Sequence, residues 1–125
     1  MKKVTTSSAP AAIGPYSQAV ISGGYVYTSG QIPVDPSTGL VAGDSIEQQA
    51  EQAIKNVIAV LEAAGSSAEN VIKTTCYIKN MGDFAVFNAV YARYFTNAPA
   101  RSCVEVSALP KGVLVEIEAV AELNL

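Results

Sequence analysis

Two apolar-alternating runs open the chain, residues 16–22 and 25–31, with Gly23-Gly24 between them. That pair tolerates the positive φ angles of a tight turn, so the runs predict a β-hairpin. Residues 33–43 hold two Pro and two Gly and predict a loop. The apolar period then lengthens to that of a helix. Ile46, Ala50, Ala53, Ile54, Val57, Ile58, Leu61 and Ala64 fall on one stripe. Asp44 or Ser45 can cap this helix, with Glu47 or Gln48 three residues on, and Gly65 supplies the stop.

Alternation returns over residues 71–79, with Ile72, Thr74, Cys76 and Ile78 on one side and Lys73, Thr75, Tyr77 and Lys79 on the other. A second helix is predicted over residues 83–95, its apolar stripe made by Phe84, Phe87, Val90, Tyr91 and Tyr94. Two strands close the chain, residues 101–109 and 113–123, turning at Pro110-Lys111-Gly112. The order ββ-α-β-α-ββ predicts one α+β domain over residues 1–125, with two crossover helices on one face of a mixed sheet. Those helices can shield only that face. The other still carries Val, Ile and Tyr, and a further subunit is its most economical cover.

Composition sharpens this picture. Half the residues are hydrophobic and only 15% are charged, a low charge density for a small monomer's surface, which again points to a subunit interface. The net charge of −3, with Lys and Arg scattered along the chain, argues against a nucleic-acid partner. Residues 4–10 are mostly Thr, Ser and Ala, so Met1-Lys2-Lys3 does not lead into an apolar signal region. No apolar run approaches the roughly 18 residues of a membrane span. Cys76 and Cys103 lack the spacing of a zinc site and read as small hydrophobes in strands. A cytoplasmic protein with reduced thiols and no membrane association is expected.

The chain has no histidine, which excludes Ser-His-Asp and Cys-His nucleophiles. Any chemistry must run on Arg, carboxylates, phenols, hydroxyls, a thiol and backbone amides. Arg101 begins one apolar-alternating strand, and Glu116 lies on the next. Together they offer a fixed cation for a planar anion and a group able to move protons. A solvated polar face carrying an Arg–Glu pair explains the same spacing. A two-residue turn at Pro110-Lys111 would oppose Glu105 to Glu116, which is unfavourable, so either the loop is longer or a cation such as Arg101 sits near them. Tyr16 either offers its phenol to a ligand or packs at a strand start. Ser29-Gly30-Gln31 either presents amides and a hydroxyl to an anion or ends a strand in a bulge. Asn88, polar amid Phe84, Phe87, Val90 and Tyr91, either ties down a loop or reaches a ligand. Gly39 and Gly43 lack the Lys and the spacing of a phosphate loop.

Four segments together resemble the RidA (YjgF/YER057c/UK114) family. They are Ala12-Ile13-Gly14-Pro15-Tyr16-Ser17-Gln18-Ala19, Thr28-Ser29-Gly30-Gln31-Ile32-Pro33, Pro99-Ala100-Arg101-Ser102-Cys103-Val104-Glu105-Val106 and Glu116-Ile117-Glu118-Ala119. The resemblance runs through essentially the whole chain. It implies a chorismate-mutase-like α+β fold assembled as a homotrimer, with clefts between subunits. It also implies hydrolysis of reactive 2-enamine and 2-imine acids, such as 2-aminoacrylate, to 2-keto acids and ammonia, without metal or organic cofactor. Carried over by position, Arg101 would hold the substrate carboxylate, helped by the backbone at Cys103. Glu116 would position or activate water, and Tyr16, Ser29, Gly30 and Asn88 would line the cleft. The alternative is a non-catalytic regulatory module that binds small carboxylates. It would keep Arg101 but not depend on Glu116. A ribonuclease role, attached to some family members, suits neither the acidic charge nor the absence of His. One departure stands out: only Asn97 and Ala98 separate Phe95-Thr96 from Pro99, where many relatives carry a longer segment ending in an aromatic. That shortening is expected to reshape the cleft beside Arg101.

Overall fold

The structure, a computed structural model, describes residues 1–124. Six strands form one mixed sheet: β1 (Lys2–Val4), β2 (Ala19–Ser22), β3 (Tyr25–Thr28), β4 (Val71–Ile78), β5 (Ala100–Glu105) and β6 (Val115–Glu122). They lie in the order β1-β2-β3-β6-β4-β5, and only β4 and β5 run parallel. Helices α1 (Ile46–Ala63) and α2 (Phe84–Tyr94) pack against each other and on one face of this sheet. The predicted α+β class and the single helical layer are both observed.

The hairpin turns at Gly23-Gly24 (φ 61° and 84°), pairing Ser22 with Tyr25, as the glycine pair predicts. The N-cap of α1 is Ser45, whose hydroxyl accepts from the Gln48 N–H while Gln48 reaches back to the Ser45 N–H, a reciprocal capping box. Gly65 follows the helix at φ 87°, the left-handed conformation that ends helices cheaply in Gly. Ala50, Ala53, Ile54, Val57, Val60 and Leu61 are fully buried. Two polar residues join them. Asn56 donates to the carbonyls of Ile32 (3.0 Å) and Val34 (2.9 Å), and Gln49 accepts from the Leu114 N–H (2.8 Å). These amides bolt the Pro-rich loop and the start of β6 onto α1.

Three sequence-based expectations need correction. Strand β1 was not expected; Val4 buries its side chain while Lys2 and Lys3 stay exposed, and the strand pairs with β2. Ile72 is exposed rather than aligned with Thr74 and Cys76, because a register shift between Val71 and Lys73 turns Val71 inward in its place. The last two strands are not a hairpin. β6 enters the sheet between β3 and β4, while β5 takes the edge beyond β4. Burial explains this partition. Val115, Ile117, Ala119 and Ala121 are all buried and suit a central strand with both sides bonded, whereas β5 is mostly exposed and suits an edge. Glu105 therefore opposes Ile78 rather than Glu116, and its carboxylate accepts from the Met81 N–H (2.8 Å).

Candidate active site

Arg101 lies on the helix-covered face of β5 and is partly buried. Its guanidinium carbon stands 4.9 Å from the centre of the Tyr91 ring and 5.4 Å from that of Phe84. Nη1 donates to Asn88 Oδ1 at 2.7 Å. Phe84, Asn88 and Tyr91 share one stripe of α2, so a single helical face cradles the cation. Tyr91 is fixed in turn by a 2.6 Å hydrogen bond with the Thr74 hydroxyl. Asn88 thus orients a guanidinium, neither tying down a loop nor standing free. Among the described residues no carboxylate comes within 4.0 Å of Arg101; the ion pair recorded, Arg93 with Glu47, lies on the surface. Arg101 is held in place with donors left for an anion.

The backbone beside it adds a further donor. The Val106 N–H bonds the Ile78 carbonyl at 2.9 Å, so strand alternation turns the N–H groups of Ser102 and Val104 toward β4. Those of Arg101 and Cys103 then face the unpaired edge. The Cys103 side chain lies beside Cys76 in register and packs against the core. Both thiols are free. Burial pushes the Cys76 thiol up to about 12 and raises that of Cys103, against a smaller opposing pull from Arg101. Neither is set up as a thiolate nucleophile.

Glu116 occupies the opposite face. It alternates with buried Val115 and Ile117 and pairs with Tyr77. Burial, and secondarily the Glu118 charge, raises its carboxyl above the ordinary 4.5. Glu118 is already engaged, accepting from the Tyr77 hydroxyl at 3.1 Å. The Glu116 carboxylate rests on Gly30, where an added Cβ would lie 2.8 Å from Glu116 Cδ. Gly30 permits this close approach and also lies where the strand gains one residue on β6, since Tyr27 opposes Val120 but Gln31 opposes Ile117. The bulge expected of this Gly is present as well. Its neighbour Ser29 donates its hydroxyl to the Ser17 carbonyl at 2.5 Å, and the Ser29 N–H reaches the Gln18 carbonyl at 2.9 Å.

Tyr16 is half exposed, and its hydroxyl accepts from the Ile13 N–H at 3.4 Å. With Gly30, Gln18, Ile32 and Lys111 it lines a cavity of about 790 Å³ that is mainly apolar. Neither Arg101 nor Glu116 lines that cavity. The seven predicted site residues therefore fall into two groups. Arg101, Asn88 and Cys103 gather at the β5 edge, while Glu116, Gly30, Ser29 and Tyr16 gather around β6 and the end of β3. Sequence reasoning missed Phe84 and Tyr91 as the cradle of Arg101, although their spacing from Asn88 put all three on one stripe. It also missed Gln18. Among the described residues, no three Cys, Asp or Glu side chains converge as metal ligands would.

Residues 6–123 match the family described as Endoribonuclease L-PSP, which includes the RidA/YjgF proteins. The chain belongs to this family. A 2-iminobutanoate/2-iminopropanoate deaminase of Salmonella typhimurium is 56% identical over 124 residues, covering 96% of each chain. A Lactococcus lactis protein named as a regulator, AldR, is 54% identical over 125 residues, covering 99% of each. The crystal structure of Escherichia coli TdcF with bound serine superposes with a TM-score of 0.94 at 45% identity, covering 99% of this chain and 100% of that one. The RidA fold is thus established for this chain, and relatives within its family differ in the roles their names assign. Among the described residues of this RidA-family chain, no helix is long and apolar enough to cross a membrane.

Proposed function

We propose that this RidA-family chain is a hydrolytic deaminase of small 2-imino acids and their enamine tautomers, acting in clefts of a homotrimer. The observation that carries the reading is the fixed Arg101, with donors free beside the outward Cys103 amide and no carboxylate in contact. A planar fork plus one backbone donor fits a small planar carboxylate. The names of the Salmonella deaminase and of the serine-bound TdcF agree with a substrate of amino-acid size.

Arg101 and Glu116 point to opposite faces of one sheet, so one copy alone does not bring them together. A second copy placing its open sheet face against the β5 edge would do so. It would also cover the exposed Tyr25, Tyr27 and Val104.

The reaction needs few groups. The carboxylate of the iminium R–C(=NH₂⁺)–COO⁻ binds Arg101. Water adds to the imine carbon as Glu116 takes its proton, and Glu116 then returns that proton to the nitrogen of the carbinolamine. The C–N bond breaks as the hydroxyl proton leaves to the departing nitrogen, giving R–CO–COO⁻ and NH₄⁺. An enamine such as 2-aminoacrylate first takes a proton at its methylene carbon to become the imine. The raised carboxyl of Glu116 moves it toward the range where a base both ionises and accepts a proton near neutrality. No thiolate is required, in keeping with the raised thiols.

The second reading, a regulator that binds small carboxylates without turning them over, is favoured by the name of the Lactococcus relative. The test is to generate 2-aminoacrylate from serine with a pyridoxal-phosphate dehydratase and follow pyruvate. Acceleration by this protein supports the deaminase; binding without acceleration supports the regulator. A ribonuclease role stays unattractive at a net charge of −3 and without His.

A further inference from the structure

We infer that Gln18 is a positioning residue that fixes the wall of the apolar cavity and thereby selects substrates by side-chain length; this rests on the deaminase reading. Residues 5–18 contain no helix or strand, so their backbone groups need partners from elsewhere. Gln18, only 3% exposed, supplies them. Its Oε1 accepts from the Thr6 N–H at 2.7 Å, and Nε2 donates to the carbonyls of Thr6 (3.0 Å), Pro10 (2.8 Å) and Ala9 (3.3 Å). The two bonds to Thr6 imitate a strand pair made by a side chain.

Thr6, Ala9 and Pro10 are also wall residues of the 790 Å³ cavity, which Gln18 itself lines. The same residue works on the other side of the cavity. Its backbone carbonyl holds the Ser29 N–H at 2.9 Å, and Gly30, next along, carries the Glu116 carboxylate. One residue thus ties the cavity wall to the shelf under the proposed base. The cavity is far larger than the methyl group of 2-iminopropanoate and is lined mainly by apolar atoms. Gly30, on which the Glu116 carboxylate rests, is the point where the cavity meets the proposed base. The longer aliphatic side chain of a substrate held beside Glu116 would therefore extend past Gly30 onto that wall, whereas a methyl group would stop short of it.

The test compares wild type with Gln18→Leu, which fills the space but bonds nothing, and Gln18→Asn, which keeps the amide one methylene short. Thermal melting and light scattering first establish that at least one variant folds and assembles as wild type does. Binding of pyruvate and of 4-methyl-2-oxopentanoate, the 2-keto products of a short and a branched imine, is then measured by calorimetry. Alongside it, KM and kcat are measured for imines generated from alanine and leucine by an amino-acid oxidase. The variants should bind 4-methyl-2-oxopentanoate about tenfold more weakly and raise KM for the leucine-derived imine to match, a discrimination of the size one or two methylenes give. Pyruvate affinity and kcat should change less than about threefold. Hydrogen exchange at the Thr6 amide should accelerate while that of Ile117 is unchanged. Equal weakening of both acids, a loss confined to kcat, or unchanged Thr6 exchange overturns the inference, as does failure of both variants to fold. Should wild type accelerate no deamination, the functional reading fails by itself, and the two 2-keto acid affinities with the Thr6 exchange still decide the role of Gln18.

Discussion

Arg101 and Glu116 stand on opposite faces of the same sheet, Arg101 under α2 at the β5 edge and Glu116 on the uncovered side of central β6. Within one chain they are no ion pair. The bland account of a solvated Arg–Glu pair therefore does not describe this molecule, and each residue needs its own explanation. For Arg101 it is a cradle of two rings and an amide. For Glu116 it is the space left by Gly30.

Arg101→Ala should lower kcat/KM for 2-aminoacrylate removal by about 100-fold or more, since a charge-assisted bidentate pair is lost. Arg101→Lys should recover little, because an ammonium cannot form the planar fork or stack on Tyr91 in the same way. Coupled pyruvate assays, with circular dichroism to confirm folding, check both variants. Near-normal activity in Arg101→Ala would remove the carboxylate clamp.

Glu116→Gln should lower the single-turnover rate about 10²–10⁴-fold while pyruvate still binds. Glu118→Gln, whose carboxylate is occupied by Tyr77, should stay near wild type. A second consequence concerns stability. The folded value of Glu116 is raised above the ordinary 4.5, so the unfolded state holds its proton less tightly, and wild type loses stability as pH rises through the folded value. Glu116→Gln should therefore melt higher than wild type at pH 7, with the advantage vanishing below about pH 4. Melting curves across that range test the sign, and a Gln variant less stable at pH 7 would contradict it.

Gly30→Ala should damage catalysis more than folding. Gly30 has no positive φ to protect, but the new methyl group would displace the Glu116 carboxylate. The expected outcome is a melting temperature within a few degrees of wild type and a kcat reduced at least about tenfold, since proton transfer depends on placement. Full activity would mean that Glu116 works from another position.

Cys103→Ser should retain most activity, because the proposed chemistry calls on the backbone N–H at this position rather than the thiol, and both thiols are raised by burial. Steady-state assays before and after a thiol-alkylating reagent check this for the wild type as well. Loss of activity in a correctly folded Ser variant would point to covalent catalysis.

In solution the protein should scatter light as a trimer of about 39 kDa, three times the 13.0 kDa chain. A monomer at micromolar concentration would leave Arg101 and Glu116 apart and sink the shared cleft.

Local features of this fold were legible in the sequence because they depend on near neighbours. The Gly23-Gly24 turn, the Ser45–Gln48 box, the Gly65 stop and the stripes of α1 and α2 are each set by residues within one or two turns of chain. The four segments that resemble the RidA family are likewise short stretches of chain, and the α2 stripe bearing Phe84, Asn88 and Tyr91 was legible, whereas its meeting with Arg101 was not. Tertiary structure alone decided what depends on distant pairing. It placed β6 between β3 and β4, because a strand buried on one face gains most where both edges are bonded. That choice separated Glu105 from Glu116, set Glu116 over Gly30 and put Arg101 on the other face. It also made Gln18 the fastening of residues 6–10, since an amide spanning 12 positions of chain finds its partners only after the chain has closed on itself.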